Sequence, residues 1–255
     1  MKILVGINTL TSVDQPVYAN HLQFFFRLGR HFDESTTFAI CTPRRMSIDR
    51  MRNMCAKMAL EADYDYILFI DDDVIVPIDM LQKLLRADKD IVAGHTIIRG
   101  WPFNSMIFKH PTPERIQELD YYNEWKPEDL DEQGLLSVDA VGFSCCLIKV
   151  SLLKKLSAPF FVTGPNHTED IYFCMKARQF VPETTIFVDP SISTVHCLGS
   201  EYIGPENRQF YKDYYKLTYN DQDPPKQDSG DRGQAYLDSI HPASRPVGLV
   251  TNEKT

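Results

Sequence analysis

Tyr66-Ile67-Leu68-Phe69-Ile70-Asp71-Asp72-Asp73-Val74 sets five apolar or aromatic residues directly against three carboxylates. The apolar half, rich in aromatic and β-branched side chains, reads as a buried strand. Three adjacent like charges repel one another and resist desolvation, so they belong at the strand's end, beside a cation or open water. In open α/β sheets, ligands bind beyond the carboxyl ends of the strands. Alternation along an extended chain sends Asp71 and Asp73 to one side and Asp72 to the other. Such a D-x-D pair is a hard-oxygen site suited to Mg²⁺ or Mn²⁺ carrying a diphosphate. The plain alternative is an acidic turn that faces water.

Two further apolar runs precede this strand, residues 2–8 and Thr37-Phe38-Ala39-Ile40-Cys41. Between the second run and the acidic strand, Met51, Met54, Cys55, Met58, Ala59 and Ala62 fall on one face of a helix. Ser47 is placed to cap it. Strand, helix, strand with the helix as crossover predicts a parallel α/β sheet. A helix around Met80, Leu81, Leu84 and Leu85 leads into another apolar run, 90–94, and the alternation continues. Past Gly100, Pro102, Pro111, Pro113 and Pro127 punctuate a charged region with few strand signals. Strand character returns over 137–150, followed by a short helix capped by Ser151, a helix over 168–180 that Thr168 can cap, and a late strand over 185–188. From Asn220 to Gln234 no apolar side chain occurs, which predicts a linker or flexible tail. The expected organisation is one domain over 1–219, its halves dividing near residue 100, with 220–255 as tail.

Composition narrows the classes. The chain of 255 residues carries a formal charge of −8, 43% hydrophobic and 24% charged residues, the balance of an ordinary globular protein. Acidity offers none of the non-specific attraction that basic proteins have for duplex DNA. The apolar runs fall far short of the ~20 residues that span a bilayer. The start, Met1 to Asn8, lacks the apolar core and cleavage site of a signal peptide and reads as a first strand of a cytoplasmic protein. Six cysteines show neither C-x-x-C nor zinc spacing and are expected to be buried free thiols.

With these residues in view, the chain resembles the GT-A fold glycosyltransferases, family 2 type. The segment Tyr66 to Val74 is similar to their D-x-D strand, and Arg50-Met51-Arg52-Asn53 to the segment upstream of it. Ile91 to Gly94 resembles the strand that follows, and 138–148 the acceptor-side segment. Thr168-Glu169-Asp170 resembles an E-D motif at a helix start, and Val195-His196 a third metal-ligand position. The resemblance implies a Rossmann-like, mostly parallel central sheet flanked by helices. It implies a hexosyl- or pentosyltransferase acting on a nucleotide-sugar donor, UDP-sugar above others, with Mn²⁺ or Mg²⁺.

It also implies roles. Asp71, Asp73 and His196 hold the metal, and an imidazole among oxygens tilts the choice toward Mn²⁺. Thr9, Arg52, Asp71, Asp72 and Asp73 contact the donor; Thr11 lies with Thr9 near the base. Asp170 is the general base, kept ionised by the helix terminus, and Glu169 an acceptor ligand. Arg44, Arg45 and Arg50 form a basic cluster with Arg52 that suits phosphate or merely solvent. His95, Trp101 and Trp125 are candidates for an acceptor pocket, or for core. The acceptor is a hydroxyl of a glycan, a protein or a modified DNA base, as in viral and phage enzymes of this type. The same acidic segment also satisfies the nucleophile pattern of haloacid-dehalogenase-type phosphohydrolases, and a non-catalytic sugar-binding module is a third reading.

Overall fold

The computed structural model describes residues 1–10, 12–109, 123–124, 134–165, 167–198 and 201–219. The expectations for Thr11, Trp125, Pro111, Pro113, Pro127 and the tail from residue 220 lie outside these residues.

The chain begins by alternating: β1 (Lys2–Asn8), α1 (Gln15–His31), β2 (Thr37–Cys41), α2 (Ile48–Glu61) and β3 (Tyr66–Asp71). A two-residue β4 (Val74–Ile75), α3 (Met80–Ala87) and β5 (Ile91–His95) follow. Then come β6 (Ile107–Lys109), β7 (Asn123–Glu124), β8 (Leu136–Ser137), β9 (Ala140–Val141), β10 (Cys145–Lys149), α4 (Val150–Leu153) and α5 (Glu169–Phe180). The described chain closes with β11 (Ile186–Ser193), β12 (Val195–Leu198), β13 (Glu201–Ile203) and α6 (Arg208–Tyr219).

The central sheet is mixed and mostly parallel, in the order β2-β1-β3-β10-β5-β11-β8. β1 runs parallel to β2 and β3, and β5 parallel to β11. β10 enters antiparallel between β3 and β5, so the second half of the chain supplies the middle of the sheet. Two small sheets, β13-β12-β4 and β7-β6-β9, stand beside it. One face of the central sheet packs on α1 and α3 through Phe24, Leu28, Leu81 and Leu84. The other packs on α2, α4 and α5, where Phe69, Phe143, Phe161 and Phe173 form an aromatic cluster with Phe161 and Phe173 stacked at 4.7 Å. All six cysteines are buried and free. Among the described residues no helix is long and apolar enough to cross a membrane.

Three local expectations need correction. α1 has no counterpart in the sequence reading: Val17, His21, Phe24 and Leu28 make a regular buried stripe, but exposed Tyr18, Leu22 and Phe26 on the opposite side blur its period. In α2 the buried face is Met51, Arg52, Cys55, Ala56 and Ala59, while Met54 is 51% exposed. The helix is rotated so that Arg52 joins Met51 on the inner face while Met54 turns outward. α4 starts straight from β10 with Lys149 at its N-cap, two residues earlier than a Ser151 cap would set. Ser47 and Thr168 do stand at the N-caps of α2 and α5, without side-chain capping bonds.

Gly94 permits the close approach of β11 where it bulges toward the next strand: a Cβ there would lie 2.8 Å from Ile192 Cγ2 and 2.9 Å from the Ile192 carbonyl oxygen. Backbone cannot step aside as a flexible side chain does. Gly94→Ala should therefore lower stability in urea unfolding by about 1–3 kcal/mol. Gly29, inside α1, would meet nothing within 4 Å. Gly29→Ala should raise stability by about 0.5–1 kcal/mol, because it restricts the unfolded chain without a clash.

Candidate active site

β3 ends at Asp71, and Asp72 and Asp73 form the turn into β4. The chain is not extended through all three, so each carboxylate meets a different partner. Asp71 Oδ1 accepts a hydrogen bond from Arg52 Nη2 at 3.1 Å. Asp72 Oδ2 accepts from the Leu10 N–H at 3.2 Å. Asp73 is ion-paired with Arg99 and lies across from His196.

His196 is brought there by strand pairing. β12 runs antiparallel to β4 with His196 opposite Val74, and the Cys197 N–H donates to the Asp73 carbonyl at 2.7 Å. His196 Nδ1 lies 2.5 Å from the Ile97 carbonyl, a group that only accepts, so Nδ1 carries the hydrogen. In the neutral imidazole the lone pair then sits on Nε2, 4.0 Å from Asp73 Oδ1. With the ring neutral, a cation between these two acceptors would be a partner for both; with the ring protonated, the two form a long ion pair. A carbonyl that fixes the far nitrogen is also the usual outer-shell arrangement of a metal-binding histidine.

Asp73 and His196 are thus brought together as expected, whereas Asp71 is turned toward Arg52 rather than toward them. Among the described residues no group of three or more His, Cys, Asp and Glu converges. Two protein donors suit a hard cation that keeps waters and takes its remaining ligands from substrate phosphates.

Arg52 differs most from its expected role. It is 2% exposed, and its Nε donates to Glu169 Oε1 at 2.9 Å while Nη2 holds Asp71. Its guanidinium lies over the Phe69 ring at 4.8 Å and the Phe143 ring at 5.6 Å. Burial works against its charge, but Asp71 and Glu169 outweigh that and raise its pKa above the ordinary value. With both carboxylates attached, Arg52 holds the ends of β3 and α5 together instead of presenting itself to a phosphate. Glu169, buried in the same bond, is a partner of Arg52 rather than an open acceptor contact. The other arginines of the cluster, Arg44, Arg45 and Arg50, are exposed.

Burial raises the Asp71 pKa even against the pull of Arg52. Burial, then the neighbouring Asp73 and Asp71, push Asp72 up to about 7. Asp170 goes the same way. The helix start was expected to keep it ionised, but burial and the adjacent Glu169 push it up to about 6, against hydrogen bonds from the Thr168 hydroxyl and the Ile171 N–H. A buried first-turn carboxylate is governed by desolvation before helix dipole.

Thr9 continues the parallel pairing one step past β1, bridging to Arg44. Beside it, Asn8 was not singled out by sequence. It is 3% exposed, sits in register with Asp71, and neither its Oδ1 nor its Nδ2 has a partner. A buried amide with both functions unmet is costly, and at a strand's carboxyl end it marks a place for a polar ligand. Arg99 was missed as well, since one arginine in a loop has no pattern to betray it. His95 is bonded to Ser105 in the interior at 2.9 Å, and burial pushes its pKa down to about 4. Trp101 stacks on Tyr215 of α6 at 5.7 Å. His95 therefore belongs to the core, and Trp101 to a small aromatic cluster.

The model of the Anp1 family, a glycosyltransferase-like family, matches residues 17–139, just under half of the chain. That match spans Arg52, the acidic turn and Arg99, and supports a glycosyltransferase-like enzyme. Among solved structures, A197 from STIV is 20% identical, covers 81% of this chain and 91% of its own, and superposes with a TM-score of 0.56. UDP-glucose pyrophosphorylase complexed with UDP-glucose is 9% identical over 86% of this chain and 100% of its own, with a TM-score of 0.42, too loose to add to the assignment. No curated protein matches the chain. The fold is Rossmann-like α/β, with a mostly parallel central sheet flanked by helices.

Because Arg52 neutralises the buried Glu169 and the half-buried Asp71, Arg52→Leu should cost about 3–5 kcal/mol in urea unfolding, the range for removing one partner from a buried ion pair. Adding Asp71→Asn and Glu169→Gln to that variant should recover most of the loss, which a simple packing defect at position 52 would not allow.

Proposed function

We propose that the chain is a metal-dependent glycosyltransferase that moves a sugar from a nucleotide-sugar donor, UDP-sugar first among candidates, to a hydroxyl of a glycan, a protein or a modified nucleic acid. The observation that carries this reading is the Asp73–His196 pair, whose acceptor atoms face each other at the carboxyl end of the sheet. The unmet amide of Asn8, one strand away, supports a polar ligand in the same place.

Mn²⁺ or Mg²⁺ held by Asp73 and His196 would offset the charge that gathers on the departing diphosphate. The remaining work falls to the chain. Arg99, beside Asp73, adds a guanidinium on the diphosphate side. Asn8 and the Leu10 N–H line the end of β1, where the nucleoside is expected near Thr9. Asp170 takes the proton from the acceptor hydroxyl as it attacks the sugar carbon, and a carboxylate near pKa 6 is a stronger base than an unperturbed one while still ionised at neutral pH. Arg52 fixes Glu169, and so the helix start that presents Asp170. The phosphohydrolase reading asks Asp71 to act as a nucleophile, and its bond to a buried guanidinium speaks against that.

UDP should raise the melting temperature more with Mn²⁺ than with EDTA, by linkage. Asp73→Asn and His196→Ala should each erase the difference; equal shifts with and without the metal would remove the metal from the proposal.

pH tests the base. Transfer should rise as pH passes upward through about 6, where Asp170 loses its proton, and level off above it. Asp170→Asn should lose ~10²-fold or more in kcat. Its stability should move in the opposite direction. A carboxylate whose pKa is higher folded than unfolded binds its proton more tightly when folded, so wild-type stability falls as pH rises from the unfolded value, near 4, through about 6. Asp170→Asn should accordingly melt at or above the wild-type temperature at pH 7.5. A variant that keeps transfer within a few-fold would take the base role from Asp170.

A further inference from the structure

Asp73 stands on a turn with little regular structure of its own. β4 has two residues, and its strand pairing among the described residues is with β12 alone. A bridge that short fixes one edge of the backbone and leaves the other in want of partners.

The other edge is met by side chains of α1. Asn20 makes a two-point contact with one residue: its Nδ2 donates to the Val76 carbonyl at 2.9 Å, and its Oδ1 accepts the Val76 N–H at 2.9 Å. His21, the next residue, lies 3.0 Å from the Val74 carbonyl through Nε2, which must be the protonated nitrogen because a carbonyl only accepts. Val74 and Val76 are two apart and present their peptide groups to the same edge, as successive bonded positions of a strand do. An amide and an imidazole thus take the places that a neighbouring strand's peptides would fill.

Both are costly choices for a helix face. His21 is buried between Val17 and Phe24 on the stripe that packs on the sheet, where an aliphatic side chain would fill the space without giving up hydration. Its side chain makes its hydrogen bond to this turn. The stripe also makes α1 a firm support, since Val17, Phe24 and Leu28 are buried and the last two belong to the core under β1 and β3.

We propose that Asn20 and His21 are positioning residues for Asp73 and His196. Val74, which His21 holds, follows Asp73 in the chain and faces His196 across the β4–β12 pair. The Asp73 carbonyl is tied to Cys197 from the other side. With both edges held, the backbone between the two acceptors cannot shift, and neither can the gap they define. The role assigned to that gap rests on the metal reading above; the clamp itself rests on the bonds to Val74 and Val76.

The test uses the full chain in four variants: Asn20→Ser, His21→Leu, His21→Gln, whose amide restores a donor, and Leu28→Ala, which loosens the packing of α1 without touching the turn. Two quantities are read without any donor or turnover, namely amide hydrogen exchange at Val74, Val76 and Cys197, and Mn²⁺ binding by electron paramagnetic resonance. Asn20→Ser and His21→Leu should speed exchange at those amides relative to the rest of the central sheet. They should also weaken Mn²⁺ by about 10–100-fold, the usual effect of losing an outer-shell partner. His21→Gln should stay within a few-fold of wild type, and Leu28→Ala should lower the melting temperature with Mn²⁺ affinity unchanged. Unchanged Mn²⁺ affinity in Asn20→Ser and His21→Leu, with wild type binding the ion, overturns the positioning role. If wild type binds no Mn²⁺, the metal reading fails separately, and unchanged exchange at Val74 and Val76 then overturns the clamp. Should His21→Leu fail to fold, Asn20→Ser, which alters a half-buried residue, carries both readouts.

Discussion

Arg52 holds a full charge in a place water does not reach, and the site is arranged around satisfying it. A lone guanidinium among Phe69, Phe143 and the α2 backbone would be prohibitive. Two carboxylates answer it, one from the end of β3 and one from the start of α5. The pairing does more than neutralise. It fixes the last residue of the acidic strand relative to the helix that carries Asp170, two segments far apart in sequence whose mutual placement no local propensity determines. Phe143, whose carbonyl lies 3.4 Å from Nη1, brings the loop before β10 into the same junction. Asn53, the next residue of α2, extends it by bonding the Phe160 and Phe161 N–H groups and the Phe161 carbonyl. One turn of one helix therefore organises three loops at the carboxyl end of the sheet.

How much of this the sequence discloses depends on whether a residue's neighbours share its reason for being there. The strands β1, β3 and β5 are legible because each is a run of residues with one requirement, burial; β2, at the sheet's edge and largely unburied, is legible as an apolar run. β10 is equally apolar, yet its direction is not legible, since a strand covered on both faces shows no alternation and no sense of travel. α1 escapes because its surface carries Tyr18, Leu22 and Phe26 opposite the buried stripe. Asp73 and His196 were found through a motif, and the chain does bring them together. Arg52 was found by the same route, but a motif marks importance without saying whether the partner is a phosphate or a carboxylate. Asn8, Arg99, Asn20 and His21 leave no trace in the sequence, because each is a single polar residue whose meaning comes from a segment distant along the chain.

The acidic turn is itself a problem that the described chain solves only in part. Asp71, Asp72 and Asp73 are consecutive, with Glu169 and Asp170 behind them, while the guanidiniums paired with this group are those of Arg52 and Arg99. The shortfall falls on Asp72, whose hydrogen bond among the described residues comes from the Leu10 N–H and whose pKa is raised to about 7 by burial first and by Asp73 and Asp71 next. A site with surplus negative charge is a poor host for a nucleoside diphosphate, which brings more of the same sign. It becomes a good one when a divalent cation enters with the diphosphate, because the cation lowers the charge of ligand and carboxylates together. Under the proposed function the surplus would act as selection, disfavouring the bare anion and favouring the metal-bound form. In that light the Arg52 clamp and the α1 contacts have a common purpose, since a cluster of like charges spreads apart unless the backbone beneath it is held from more than one side.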